Sequence, residues 1–216
     1  MLDSSGFDQW AADYDKSVNA ADDDSLYPFA GYGELMAYIY KTVMDDRPAA
    51  VLDVGVGTGA LAHRLYMAGN RITGVDFSGA MLEKARELMP DATLIEHDIT
   101  KGLPQQIRNT KFDYIISTYT LHHLTDEGKT RFILSALEHL HDKGAMIIGD
   151  VSFLSREALE ECRVSCGNGW DDDEHYFVFS ELKETLGGKC ALTYRQISHC
   201  AGILEISRNH SNGNTI

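Results

Sequence analysis

The sequence has few positive charges for its length. Of its 216 residues, 19 are Lys or Arg and 33 are Asp or Glu, so the formal net charge is −14. Phosphate backbones and anionic membrane surfaces are bound through clustered Lys and Arg side chains. The composition therefore argues against nucleic acid and against an anionic membrane as partners.

Long apolar runs and targeting signals are also missing. No stretch approaches the roughly 18 consecutive apolar residues that a membrane-spanning helix needs. The first residues, Met1 to Gly6, contain neither a cationic start nor an apolar core, so we expect no secretory signal. The chain has no internal repeat and no long low-complexity tract, and its length suits one domain, residues 1–216.

The sequence contains 4 cysteines and no C-x-x-C pair. Cys162 and Cys166 are four residues apart on a predicted helix, a spacing that also occurs in metal sites. No His or Cys partner stands nearby at ligand spacing, so we predict half-buried free thiols and no metal site. Free thiols favour a reducing compartment, and we expect the protein to be cytoplasmic.

The most informative stretch is a strand-like apolar run that ends in closely spaced glycines. Ala49 to Val54 is followed by a glycine turn, Gly55, Gly57 and Gly59. Such a turn lets a ligand approach the bare backbone, and the helix predicted after it offers free N–H groups. The G-x-G-x-G spacing differs from the dinucleotide pattern G-x-G-x-x-G, but Ala60 is tolerated at its third glycine position. The turn alone therefore leaves the choice of ligand open.

Polar residues follow the next predicted strands. The strand Arg71 to Asp76 ends in a carboxylate that could accept hydrogen bonds from both hydroxyls of a ribose. Ser78 is predicted to cap the following helix, and the strand Ala92 to His97 leads into Asp98. The strand Phe112 to Thr118 comes next. Together with the glycine turn, this order predicts an open parallel sheet with a ligand at the carboxyl ends of its strands.

Five short motifs follow one another along this region. They are V-L-D-V-G-V-G-T-G (51–59), V-D-F-S-G-A-M-L (75–82), D-I (98–99), F-D-Y-I-I-S (112–117) and L-H-H-L (121–124). Taken together, they resemble the motifs of the class I S-adenosylmethionine-dependent methyltransferases. Dinucleotide-binding enzymes usually lack the second and third motifs, so the resemblance favours this family over a nucleotide-linked dehydrogenase.

The resemblance implies S-adenosylmethionine as cofactor and S-adenosylhomocysteine as its product. By position, the glycine turn would lie against the methionyl and ribose portion, Asp76 would accept from the ribose hydroxyls, and Phe77 would border the adenine. Asp98 would accept from the adenine amino group, Ile99 would lie against the ring, and Thr118 would approach the methionyl group. From the residues alone, a strand-end Asp could equally cap the next helix.

A segment before the first strand extends the resemblance. W-A-A-D-Y-D (10–15) is similar to the W-A-x-x-Y-D segment of many small-molecule methyltransferases, which implies that the Tyr14 hydroxyl reaches the methionine end of the cofactor. Tyr14 also belongs to an apolar stripe at helical spacing, so packing onto the main domain stays open.

The resemblance and the hydrophobic pattern predict an α/β fold. We expect a three-layer, Rossmann-like, seven-stranded sheet that is mostly parallel. Alternation in 189–198 and 202–207 predicts a closing antiparallel hairpin. The predicted parts are an N-terminal helical cap (1–48), a cofactor-binding core (49–154), a helical insert (155–187), the hairpin (188–208) and a tail (209–216).

The predicted function is methyl transfer to a small-molecule acceptor by in-line displacement. His122 and His123 are the weak candidates for a general base. Ser117-Thr118-Tyr119-Thr120 stands where methyltransferases of nucleobase and glutamine nitrogens have [DN]-P-P-[YF], which weakens those substrates. A non-catalytic sensor or partner subunit of the same fold is the alternative, and a dehydrogenase is a third. The loop 170–176 is either a surface loop or part of the acceptor pocket. The acceptor and the oligomeric state stay open.

Overall fold

The computed structural model describes residues 26–45 and 48–209. Tyr14 and the rest of the W-A-A-D-Y-D segment lie outside the described residues, as does the end of the predicted tail. Within the described part of the chain, no helix combines the length and the apolar character needed to cross a membrane.

The strands form one mixed sheet in the order β3-β2-β1-β4-β5-β8-β7. Strands β1 to β5 run parallel, and β8 pairs antiparallel with both β5 and β7. The strands are β1 (Ala50–Val54), β2 (Arg71–Asp76), β3 (Thr93–Glu96), β4 (Phe112–Thr118), β5 (Leu140–Phe153), β6 (Phe177–Val178), β7 (Cys190–Gln196) and β8 (Ala201–Arg208). The seven-stranded, mostly parallel sheet with a closing hairpin is confirmed. The short β6, which pairs with the end of β5, is an addition.

Six α-helices in the described residues surround the sheet. They are α1 (Tyr32–Met44), α2 (Ala60–Met67), α3 (Gly79–Leu88), α4 (Asp126–Leu137), α5 (Arg156–Cys166) and α6 (Phe179–Leu186). The predicted N-cap of α3 is present, since the Ser78 hydroxyl accepts a hydrogen bond from the Met81 N–H at 3.2 Å.

Two apolar cores, one on each face of the sheet, give the predicted three layers. Alternate residues of β1 point to opposite faces, so Val51 belongs to one core and Leu52 to the other. The first core contains residues of α1, α2, α3 and α5, and the second contains residues of α4 and α6. Every residue of β1 is buried, as expected for a central parallel strand.

The apolar spacing of the sequence predicts one helix from Leu26 to Met44 and another from about Asp126 to His141, and one boundary of each is wrong. Helix α1 begins at Tyr32 rather than Leu26, because Gly31 has a left-handed backbone conformation that interrupts a helix. Helix α4 ends at Leu137 rather than His141. Strand pairing takes over there, since the Phe112 N–H donates to the His139 carbonyl and Leu140 already pairs with β4.

Candidate active site

The glycine turn joins the end of β1 to the start of α2. All of its glycines have positive φ, 78° at Gly55, 54° at Gly57 and 89° at Gly59. A Cβ at Gly55 would lie 2.0 Å from Oγ1 of Thr120, so the turn packs directly against the loop after β4. A Cβ at Gly57 would meet no described atom within 4 Å. The backbone at Gly57 therefore faces open space in which a ligand can approach it.

Asp76, the last residue of β2, is tied to this turn. Its Oδ2 accepts from the Gly57 N–H at 2.8 Å, and its Oδ1 accepts from the Ser78 N–H at 2.9 Å. Asp76 is only 7% exposed. Because a carboxylate oxygen can accept more than one hydrogen bond, Asp76 can hold the turn and also accept from ligand hydroxyls.

Asp53 is a second buried acid at this site, and no role was predicted for it from the sequence. It lies in β1 and is 2% exposed, and its Oδ1 has no hydrogen-bond partner among the described residues. Burial, followed by the charge of Asp76, raises the pKa of Asp53 to about 7. A buried carboxylate without a partner favours a donor or a cation beside it. The signal in the sequence that could have pointed to Asp53 is an acid inside an otherwise apolar strand.

The predicted adenine-side residues follow β2 and β3. Asp98 caps a short 3-10 helix, Ile99–Lys101, through hydrogen bonds from the backbone N–H and the hydroxyl of Thr100 at 2.9 and 2.7 Å. The hydroxyl of Thr100 is the main cause of a lowered pKa at Asp98. Ile99 and Phe77 are half-buried. Asp98 thus has the capping role that the residues alone allowed, and its contact with adenine stays a prediction.

Strand order brings the predicted residues to one edge of the sheet. The order β3-β2-β1-β4 places Asp98, Asp76, the glycine turn and Thr118 one after another at the carboxyl ends of parallel strands. The chain passes from β1 to β2 on one side and later to β4 on the other, so the strand order reverses beside β1. Open α/β sheets bind ligands at such a reversal.

His122 lies on the short 3-10 helix Leu121–His123 after β4, next to the loop that packs on Gly55. Its Nδ1 is 2.6 Å from Oδ1 of Asp150, which lies in β5 and is fully buried. Burial lowers the pKa of His122, but the charge and the hydrogen bond of Asp150 outweigh it, and the pKa is raised. Oδ2 of Asp150 has no hydrogen-bond partner in the described part of the chain.

His123 makes a second pair with an acid. Its Nδ1 is 2.8 Å from Oε2 of Glu174, and the His122 and His123 ring centroids are 4.2 Å apart. Burial raises the pKa of Glu174, but His123 outweighs it and the pKa is lowered. Glu174 belongs to the 170–176 loop, which therefore reaches the β4 edge. Sequence reasoning could not find this contact, because 51 residues separate the partners.

Aromatic side chains fix the start of the same loop. Trp170 stacks on Tyr27 at 5.2 Å between centroids and meets Tyr176 edge-on at 4.9 Å. The Tyr27 and Tyr176 hydroxyls are hydrogen-bonded to each other. Burial is the main cause of the raised pKa of both tyrosines. The loop is thus held at two places, by Tyr27 before α1 and by His123 after β4.

The chain is similar in sequence to known methyltransferases. A family model described as a methyltransferase domain matches residues 51–144. An uncharacterized methyltransferase of Anoxybacillus flavithermus is 35% identical over 154 residues, which are 71% of this chain and 69% of that protein. Another, from Geobacillus kaustophilus, is 34% identical over 186 residues, which are 82% of each chain.

The fold is also found among solved structures. The DhpI–SAH complex has a TM-score of 0.71 at 15% identity, and the match covers 95% of this chain and 94% of that one. At this identity the likeness concerns the fold alone.

Proposed function

Because the chain belongs to the class I S-adenosylmethionine-dependent methyltransferases, we propose that it transfers the methyl group of S-adenosylmethionine to a small-molecule acceptor. The product of the cofactor is S-adenosylhomocysteine. The observation that carries the proposal is the hydrogen bond between the Gly57 N–H and Asp76, which joins an open glycine turn to a strand-end acid at the reversal of strand order.

The residues at the edge fit the parts of this cofactor. Asp76 accepts from the ribose hydroxyls, and the backbone at Gly57 lies against the ribose and methionyl portion. Phe77, Asp98 and Ile99 lie on the adenine side, and Thr118 lies on the methionyl side. We add Asp53, since its unpartnered Oδ1 suits the cationic amino group of the methionyl portion.

The protein's contribution to the reaction is mainly orientation. The bound cofactor supplies an activated methyl group, so the chain has to hold the acceptor in line with it and exclude water. His122 and His123 follow β4 on the 3-10 helix beside the turn, and we expect them to border the acceptor. A proton acceptor is needed only when the attacking atom carries a proton that must leave.

Calorimetry with S-adenosylmethionine, S-adenosylhomocysteine and NAD tests the cofactor. We expect micromolar-range binding of the two sulfur nucleosides and no binding of NAD. Asp76→Ala removes the acceptor of the ribose hydroxyls and the tether of Gly57, so affinity should fall by about tenfold or more.

Asp91→Ala is the matched control, because Asp91 is an exposed acid that accepts from the Tyr66 hydroxyl away from the turn. Circular dichroism checks that both variants are folded. Unchanged affinity in folded Asp76→Ala would remove the ribose assignment. Turnover of methyl-labelled cofactor over a metabolite panel distinguishes an enzyme from a non-catalytic sensor.

A further inference from the structure

We propose that His122, His123 and Glu174 form a binding site for a divalent transition-metal ion beside the acceptor position. One potential ligand atom from each of the three side chains lies within 4.8 Å of the others, and all three residues are half-buried. Imidazole together with carboxylate suits Zn²⁺, Co²⁺, Mn²⁺ and Fe²⁺. The sequence predicted no metal site, since the cysteines have no partner at ligand spacing, and adjacent histidines with a distant Glu form no recognisable ligand pattern.

The surroundings of His122 are those of a supported ligand. Its Nδ1 is hydrogen-bonded to Asp150 at 2.6 Å, and the same oxygen of Asp150 accepts from the Val151 N–H at 2.8 Å. A carboxylate on one ring nitrogen fixes the tautomer and the ring orientation and leaves the other nitrogen as the ligand. Asp150 is fully buried, so its carboxylate is held in place and keeps the ring of His122 in one orientation.

The backbone brings Glu174 to the two histidines. The His175 N–H donates to the His122 carbonyl at 2.9 Å, which fixes the loop beside the 3-10 helix. Glu174 then meets Nδ1 of His123 at 2.8 Å. We infer that a metal ion takes the place of this hydrogen bond: the Nδ1 proton of His123 moves to Nε2 of the same ring, and Nδ1 and the Glu174 carboxylate both become ligands.

The charge balance favours a cation at this position. Glu174 and Asp150 face the two histidines, and the positive group of the buried Lys129 is already paired with Asp126 at 2.9 Å. Three protein ligands leave coordination positions open, as in catalytic rather than structural sites. An acceptor hydroxyl or thiol could occupy one and be held near the methyl group. This use of the ion rests on the proposed function, whereas its binding does not.

The test is a titration of protein that has been freed of metal by chelation, without any methyl donor. We expect about one equivalent of Zn²⁺ by calorimetry and a Co²⁺ absorption spectrum typical of nitrogen and oxygen ligands. Glu174→Gln and His123→Gln should each weaken binding by about tenfold or more. Asp150→Asn should weaken it by about 10–100-fold by loosening His122.

Exposed residues of the same types provide matched controls. Glu87→Gln and His141→Gln should bind as the unaltered protein does. The double variant Cys162→Ser, Cys166→Ser should also bind normally, and no thiolate charge-transfer band should appear with Co²⁺. Equal binding by Glu174→Gln and Glu87→Gln, or no binding at all, would overturn the proposal and leave His123–Glu174 as a hydrogen-bonded pair. Cofactor calorimetry on the same preparation keeps a failure here separate from a failure of the proposed function.

Discussion

Two carboxylates beside one turn differ in their hydrogen bonds. Asp76 accepts from two backbone N–H groups, one of them in the glycine turn. Asp53 is buried next to it with an oxygen that has no partner in the described residues. Asp76 is therefore compatible with the structure as an anion, whereas ionised Asp53 is unfavourable until a cation or a donor lies beside it.

Asp53 should make the free protein less stable as the pH rises. The pKa of Asp53 is raised from 3.8 to about 7 in the folded state, so between these values the folded state holds a proton that the unfolded state has lost. Stability is lost as the pH rises through this window, by up to a few kcal/mol. Asp53→Asn should remove that contribution, which urea unfolding at about pH 5 and about pH 8 would measure.

The same substitution should weaken cofactor binding while it stabilises the free protein at about pH 8. Asn keeps the shape of Asp but cannot attract the amino group of the methionyl portion as a charge does. A folded Asp53→Asn variant with unchanged affinity for S-adenosylmethionine would contradict the role that we give to Asp53. An unchanged pH dependence of unfolding would contradict the raised pKa.

At the residue scale, the sequence alone was enough to predict the residues that belong to short local motifs. The glycine turn and Asp76 were predicted because short, ordered motifs carry them, and the structure places them together. Asp53 lies inside one of those motifs, but nothing in the sequence says that its oxygen lacks a partner. Glu174 was missed as a partner of His123 because chain folding alone brings the loop to the sheet edge.

At the scale of elements, the close approach of α1 to β5 depends on one residue without a side chain. A Cβ at Gly149 would lie 2.3 Å from Cδ2 of Leu35 and 3.0 Å from Cδ1 of Ile39. Gly149→Ala should therefore overpack this contact and lower the free energy of unfolding by about 1–3 kcal/mol. Denaturant unfolding measures the change.

Gly169→Ala is the control for this prediction, since a Cβ there would meet no described atom within 4 Å. Its effect should stay within about 0.5 kcal/mol. Equal stabilities of Gly149→Ala and Gly169→Ala would mean that α1 can move away from β5 at little cost.

Strand types were easier to predict than strand positions. The hairpin was predicted from alternation, and alternation does describe β7, which lies at the edge of the sheet. Strand β8 is buried along its first four residues and lies between β5 and β7. The apolar run at 201–204 was the available signal of an interior strand, but pairing between distant strands decided its place.

At the scale of the whole molecule, cofactor binding should stabilise the fold through one edge of the sheet. The residues assigned to it lie at or just after the carboxyl ends of β1, β2, β3 and β4, which are neighbours in the sheet and pack against both cores. A ligand that binds all of these loops binds the folded chain and not the unfolded one. By linkage, S-adenosylhomocysteine at about 100 times its dissociation constant should raise the free energy of unfolding by about 2.7 kcal/mol.

For a chain of this length, that increase corresponds to a rise in Tm of about 5–10 °C, because each kcal/mol shifts Tm by about 2–4 °C. Thermal unfolding followed by circular dichroism would measure the rise. NAD at the same concentration should leave Tm unchanged, and Asp76→Ala should lose about half of the rise or more, because a tenfold loss of affinity removes about 1.3 kcal/mol of this stabilisation. An equal rise with NAD would instead indicate that the edge recognises adenosine in general.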